Sequence, residues 1–123
     1  MQIVLKGKPV GVNSVYQTVC RNNFPVRFMK AAPKALKEEW EWVIASTCKK
    51  NKWVTQTGDM YVEVNFYFPD KRSNDLDGHV KMVLDCMTGL VYEDDKQITH
   101  LVLKKFYDKE NPRVEINVDD IVG

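Results

Sequence analysis

Residues 60–98 read MYVEVNFYFPDKRSNDLDGHVKMVLDCMTGLVYEDDKQI. The first nine, MYVEVNFYF, alternate between two faces and are rich in β-branched and aromatic residues, which predicts a strand that Pro69 ends. Leu76, Val80, Val83, Leu84 and Met87 then recur on one helical face. Gly89 stands where a C′ glycine stops a helix. Two further strands are predicted, at 98–107 and 113–118, separated by the turn Asp108-Lys109-Glu110-Asn111-Pro112.

Upstream, Gln2–Lys6 reads as a short strand. Gly7, Pro9, Gly11 and Asn13 then punctuate a long polar stretch that reaches Pro33, with one more short strand near 26–29. A connection of that length in a small domain is often functional. After Pro33, Ala35, Leu36, Trp40, Val43, Ile44 and Thr47 mark an amphipathic helix to about Lys50. The order β, (β), α, β, α, β, β predicts an α+β fold, and 123 residues are enough for one domain spanning residues 1–123.

Composition narrows the class. With 44% apolar and 28% charged residues the chain matches an ordinary globular domain rather than a disordered or fibrous one. No apolar run approaches the roughly 18 residues of a membrane span, and MQIVLKGKPV is too short in apolar residues for a signal peptide. The cytoplasm is the expected compartment, without membrane association. Cys20, Cys48 and Cys86 are odd in number and lack any C-x-x-C, which argues against disulfides and structural zinc and for reduced thiols.

The net charge of +1 conceals a polar division. Residues 1–52 carry ten Lys and Arg against three acids, and residues 53–123 carry eight against fourteen. Residues 1–37 hold Lys6, Lys8, Arg21, Arg27, Lys30, Lys34 and Lys37 with no acid, interleaved with Tyr16, Phe24 and Phe28. Such a segment suits a polyanion, although charge alone equally describes a solvated basic surface.

Asp75, Asp77, Asp85, Glu93, Asp94 and Asp95 face a single base, Lys81, between residues 73 and 95. Asp75 and Asp77 fall in a first helical turn, where one carboxylate would suffice as a cap. An EF-hand fails because the twelfth loop position is Leu84 and the first is Ser73. What remains is a carboxylate cluster at a helix start that can join a second on a later turn, an oxygen-rich site suited to Mg2+ or Mn2+. Lys81, one turn after Asp77, supplies an ammonium on the same side or simply an i, i+4 pair. Metal plus nucleic acid points to phosphodiester hydrolysis.

The string NFYF, Pro69-Asp70-Lys71-Arg72, Asp75-Leu76-Asp77, Lys81, Asp85, Gly89 and Glu93-Asp94-Asp95-Lys96-Gln97-Ile98 resembles the RusA family of Holliday-junction resolvases. The resemblance implies a small mixed sheet packed with two main helices. It further implies a homodimeric, Mg2+-dependent endonuclease (Mn2+ a possible substitute) that recognises four-way junction DNA and nicks two opposed strands symmetrically, serving recombination and repair. By that resemblance Asp75, Asp77 and Asp95 correspond to metal-binding acids and Lys81 to an essential lysine, with all four at the catalytic site. Asp85 is expected to hold Lys81 or the dimer, and Asp94 to cap its turn. No small-molecule cofactor is implied.

Two departures concern DNA contacts. Gly78 stands where the family commonly has Asn, and Asn74 where an Arg is often found, so the loop keeps only Lys71 and Arg72. Fewer cations predict weaker or more salt-sensitive junction binding, with Arg21 and Arg27 of the basic segment available to compensate. Two other readings compete: a non-catalytic branched-DNA binding module in which the acids only cap, and a dimeric partner protein that exposes Trp40, Trp42 or Trp53. Trp42 lies off the apolar stripe and is an expected dimer contact. His79 and His100 lack partners at metal-ligand spacing, and the cysteines lack an evident base, so neither type is assigned chemistry.

Overall fold

A computed structural model describes residues 1–7, 16–21, 24–29, 31–71 and 76–121. The elements are β1 (Gln2–Lys6), β2 (Tyr16–Arg21), β3 (Phe24–Met29), α1 (Ala31–Lys50), β4 (Met60–Phe68), α2 (Leu76–Met87), a single 3-10 turn (Asp95–Gln97), β5 (Ile98–Tyr107) and β6 (Arg113–Asp120). Four strands form one mixed sheet in the order β1-β6-β4-β5, with β4 and β5 parallel and the other neighbours antiparallel. The α+β expectation holds.

The sheet follows from the alternation of its central strand. Met60, Val62, Val64, Phe66 and Phe68 are all fully buried, while the residues between them are half-buried. Ile3 and Leu5 of β1 and Val114, Ile116 and Val118 of β6 continue the same apolar face. Trp40, Ile44 and Cys48 of α1 and Met82, Val83, Cys86 and Met87 of α2 close over it in one core. Burying such side chains stabilises by about 1.5–3 kcal/mol each, which dominates the fold's energetics. The Trp40 indole donates to the Lys6 carbonyl at 2.9 Å and the Trp53 indole to the Val91 carbonyl at 3.0 Å, so both large rings also meet their polar need.

Three expectations are corrected. The stretch up to Pro33 contains two paired strands rather than one, because β2 joins β3 as an antiparallel ribbon. β2 (YQTVCR) was missed because its residues mix polar and apolar types without a clean period. Helix α1 starts at Ala31 and takes Pro33 into its first turn, where a missing N–H costs no helical hydrogen bond. Trp40 is not an exposed interface residue: it is 1% exposed and belongs to the core, and Trp53 is half-buried, whereas Trp42 is 72% exposed.

Helix α2 stops where Gly89 takes φ +85°, a left-handed conformation that a side chain disfavours. The chain then turns tightly, with the Gly89 N–H donating to the Tyr92 carbonyl at 2.7 Å and the Val91 N–H to the Met87 carbonyl at 2.9 Å. The reversal brings residues 92–95 back beside the helix they have just left.

Candidate active site

Two elements carry the acids. On α2, Asp77 lies exposed in the first turn and Lys81 follows one turn later. The Lys81 ammonium sits 3.3 Å from the Asp85 carboxylate, with their side chains 56% and 27% exposed. The role expected for Asp85, holding Lys81, is therefore visible as a direct ion pair. At this exposure the pair contributes little to stability, and its consequence is where the ammonium points.

On the returning turn, Asp94 is extended (φ −151°, ψ 144°) and caps the 3-10 turn, its carboxylate accepting from the Lys96 N–H at 3.1 Å. That hydrogen bond, with the Asp95 side chain next in effect, holds the Asp94 carboxyl below the usual carboxylate range. Asp95 shifts the other way. Hydrogen bonding with the Asp94 side chain raises its carboxyl first, burial second, and the charges of Asp94 and Asp85 further, while Lys81 pulls it down. The link between this turn and the helix is a hydrogen bond made by Tyr92.

Two residues to which the spacing assigned no role hold the turn in place. Tyr92 is fully buried, and its hydroxyl donates to the Leu84 carbonyl at 2.9 Å, pinning the turn to the middle of α2. Gln97 closes a capping box with Asp94 and donates to the carbonyls of Gln56 and Gly58, each at 2.9 Å. Residues 53–58 run alongside 90–93 through Thr55 Oγ1 to Leu90 O (3.0 Å), Gln56 N–H to Val91 O (3.0 Å) and Glu93 N–H to Gln56 O (3.2 Å). Gln97 stands in the stretch Glu93-Asp94-Asp95-Lys96-Gln97-Ile98, so the sequence carries the signal without its meaning.

Among the described residues no three His, Cys, Asp or Glu side chains converge closely enough to hold a metal ion. Asp75, Arg72, Ser73 and Asn74 lie outside the described residues, so the acid expected to complete the set is one of them. The donors that are described suit a hard cation nonetheless. They are carboxylate oxygens, the donor type that Mg2+ and Mn2+ take.

The other candidates separate clearly. His79 packs edge-on against Phe68 (ring centroids 4.9 Å) and Phe66 (6.2 Å). Cys48 and Cys86 are buried free thiols, and burial pushes Cys86 up to about 12, which makes it a poor nucleophile. Lys71 is exposed at the end of β4, its ammonium 5.5 Å from the centre of the Tyr107 ring. Arg21 and Arg27 belong to the β2–β3 ribbon, where Arg21 pairs with Phe24 and Arg27 with Thr18.

Comparison with known proteins places the chain in a family. The family model for endodeoxyribonuclease RusA matches residues 7–119. An uncharacterized protein of Bacillus subtilis (strain 168), YqaN, is 43% identical over 47 residues, which is 38% of this chain and 32% of that protein. The matched segment thus spans about a third of that curated relative. No helix among the described residues is long and apolar enough to cross a membrane. With nearly its whole length matched by the family model, the chain belongs to the RusA endodeoxyribonuclease family.

Proposed function

We propose that the protein is a divalent-metal-dependent DNA endonuclease that resolves four-way junctions by paired, symmetrical nicks, acting as a homodimer in the cytoplasm. The observation that carries this reading is the family match over residues 7–119, supported by the Lys81–Asp85 ion pair on α2 and by Tyr92, which ties the turn leading to Asp95 back to Leu84 of the same helix. Asp75, Asp77 and Asp95 would hold Mg2+, or Mn2+ in its place. Bound there, the ion supplies a water of lowered pKa and positive charge against the phosphoryl oxygens.

The chain's own groups do the rest. Lys81, aimed by Asp85, presents an ammonium to charge that builds on the phosphate in the transition state. Asp94, spent on its cap, keeps Asp95 in place rather than reaching substrate. Lys71 and Arg72 contact backbone phosphates beside the scissile strand, and Arg21 and Arg27 extend the cationic surface. A two-fold dimer would present every one of these groups twice, matching the symmetry that relates opposed arms of a junction.

A second reading, a branched-DNA binding module without cutting in which the acids only cap, draws on the Asp94 carboxylate accepting from the Lys96 N–H at the 3-10 turn. One experiment separates the two. A labelled four-way junction and a matched linear duplex are incubated with the protein in Mg2+ and in chelator, and cuts are mapped on all four strands. Paired Mg2+-dependent nicks confined to the junction support the resolvase. Junction binding without cutting in any divalent ion rejects it for the binding module.

A further inference from the structure

The Gln97 amide puts three hydrogen bonds, both of its donors and its oxygen, to one purpose. Its Oε1 accepts from the Asp94 N–H at 2.9 Å, and its Nε2 donates to the carbonyls of Gln56 and Gly58 at 2.9 Å each. The opposite amide orientation would set an oxygen against two carbonyl oxygens, so the chemistry of the partners dictates which end is which. Glutamate at this position offers no donor, methionine offers neither donor nor acceptor, and asparagine is one methylene short. Only glutamine spans from the Asp94 backbone to two carbonyls on a separate loop.

That loop is itself anchored. Gln56 donates from its backbone to Val91, and its carbonyl also accepts from Glu93. The turn carrying Asp94 and Asp95 is therefore clamped from two sides: Tyr92 ties it to Leu84 on α2, and Gln97 ties it to residues 56–58. Asp95 is the first residue of the 3-10 turn and follows directly on the clamped Asp94 backbone, so that anchor sets where its side chain starts.

We infer that Gln97 is a positioning residue of the metal site, holding the Asp94 backbone so that the Asp95 carboxylate faces α2. It touches neither metal nor substrate. The inference rests on the reading of Asp75, Asp77 and Asp95 as a divalent-cation site. Groups that orient metal ligands typically change metal affinity by about 10- to 100-fold when removed.

The test is direct titration of the full-length protein with Mn2+ alone, followed by electron paramagnetic resonance of the free ion, with far-UV circular dichroism to check folding. Gln97→Met keeps the side-chain length and removes all three hydrogen bonds. It is expected to weaken Mn2+ binding about tenfold, and to raise the Mn2+ concentration giving half-maximal junction cutting in step. Thr55→Val removes a bond between the same loop and Leu90 without touching the acid-bearing turn. Its Mn2+ affinity should stay within about twofold of wild type, since it loses loop anchoring but not the amide.

Mn2+ binding within twofold of wild type in Gln97→Met overturns the inference. So does an equal loss in Thr55→Val, which would mean that general loop stability sets the affinity. Should Gln97→Met fail to fold, Gln97→Asn, which keeps a polar head, takes its place with the same expected loss. A wild-type protein that binds no Mn2+ overturns the metal-site reading itself and this inference with it. Wild-type binding with unaffected Gln97 variants removes this inference alone.

Discussion

The two acidic segments are built differently. On α2 the charged groups meet each other: Asp77 is exposed, and Lys81 is held by Asp85 through an ion pair in solvent. On the returning turn they meet the backbone: Asp94 caps, Gln97 clamps and Tyr92 pins from a fully buried position. One half of the site is an adjustable charged face and the other a tied scaffold. A pair of this kind sets exposed charged groups on α2 beside a turn whose backbone is anchored. Pre-organising one partner lowers the ordering cost of assembling the site.

The largest effect expected is from the acids themselves. Asp77→Asn and Asp95→Asn should each reduce junction cutting on the order of 100-fold or more while leaving junction binding in chelator unchanged, measured by cutting rate and gel shift. Loss of binding in parallel with cutting would place these groups on DNA rather than metal.

Breaking the adjustable half should cost less. Asp85→Asn frees the Lys81 ammonium, and cutting should fall by about tenfold, while the thermal midpoint barely changes because the pair is solvent-exposed. Lys81→Arg in the same assay sharpens the comparison: a guanidinium keeps charge but not a compact point charge, and only partial activity is expected.

Breaking the tied half should appear first in stability. Tyr92→Phe removes a buried hydroxyl bond to Leu84 and should destabilise by about 1 kcal/mol in denaturant unfolding. The Leu84 carbonyl keeps the Thr88 N–H at 3.2 Å as a partner, so a larger loss is not expected.

The smallest effect concerns the two neighbours whose carboxyls shift in opposite directions. Asp94 is held down by the Lys96 N–H and Asp95 is raised by Asp94. As pH falls, Asp95 therefore takes up its proton first. The stability that Asp94 contributes is present above its unfolded value and disappears as pH falls through its lower folded value. Asp94→Asn should bring the Asp95 midpoint down toward an ordinary aspartate, read by carbon NMR of the side-chain carboxyls. An unmoved Asp95 would mean that burial and Asp85 dominate its environment.

Much of this was legible beforehand for reasons specific to each element. β4 could be read because two-residue alternation directly encodes which face is buried, and the structure returns it residue for residue. The α2 stripe and Gly89 were readable because a helix stop requires a positive φ that glycine tolerates. β2 was not readable, because its stability comes from pairing with β3 rather than from its own pattern. Trp40 and Trp42, two residues apart on one helix, were separable by period: the apolar stripe includes the first and omits the second, and they are 1% and 72% exposed.

Fold class, family and the inventory of acids and bases are legible along the chain, because periodicity and motif spacing are properties of residues read in order. Tertiary structure decided what those groups face. That Lys81 pairs with Asp85, that Tyr92 ties the returning turn to Leu84, and that Gln97 reaches across 39 and 41 positions of the chain to Gly58 and Gln56, depend on a reversal after Gly89 and on a loop from another part of the sequence. Contacts between residues distant in the chain are made by the packing of the core, and no local pattern records them.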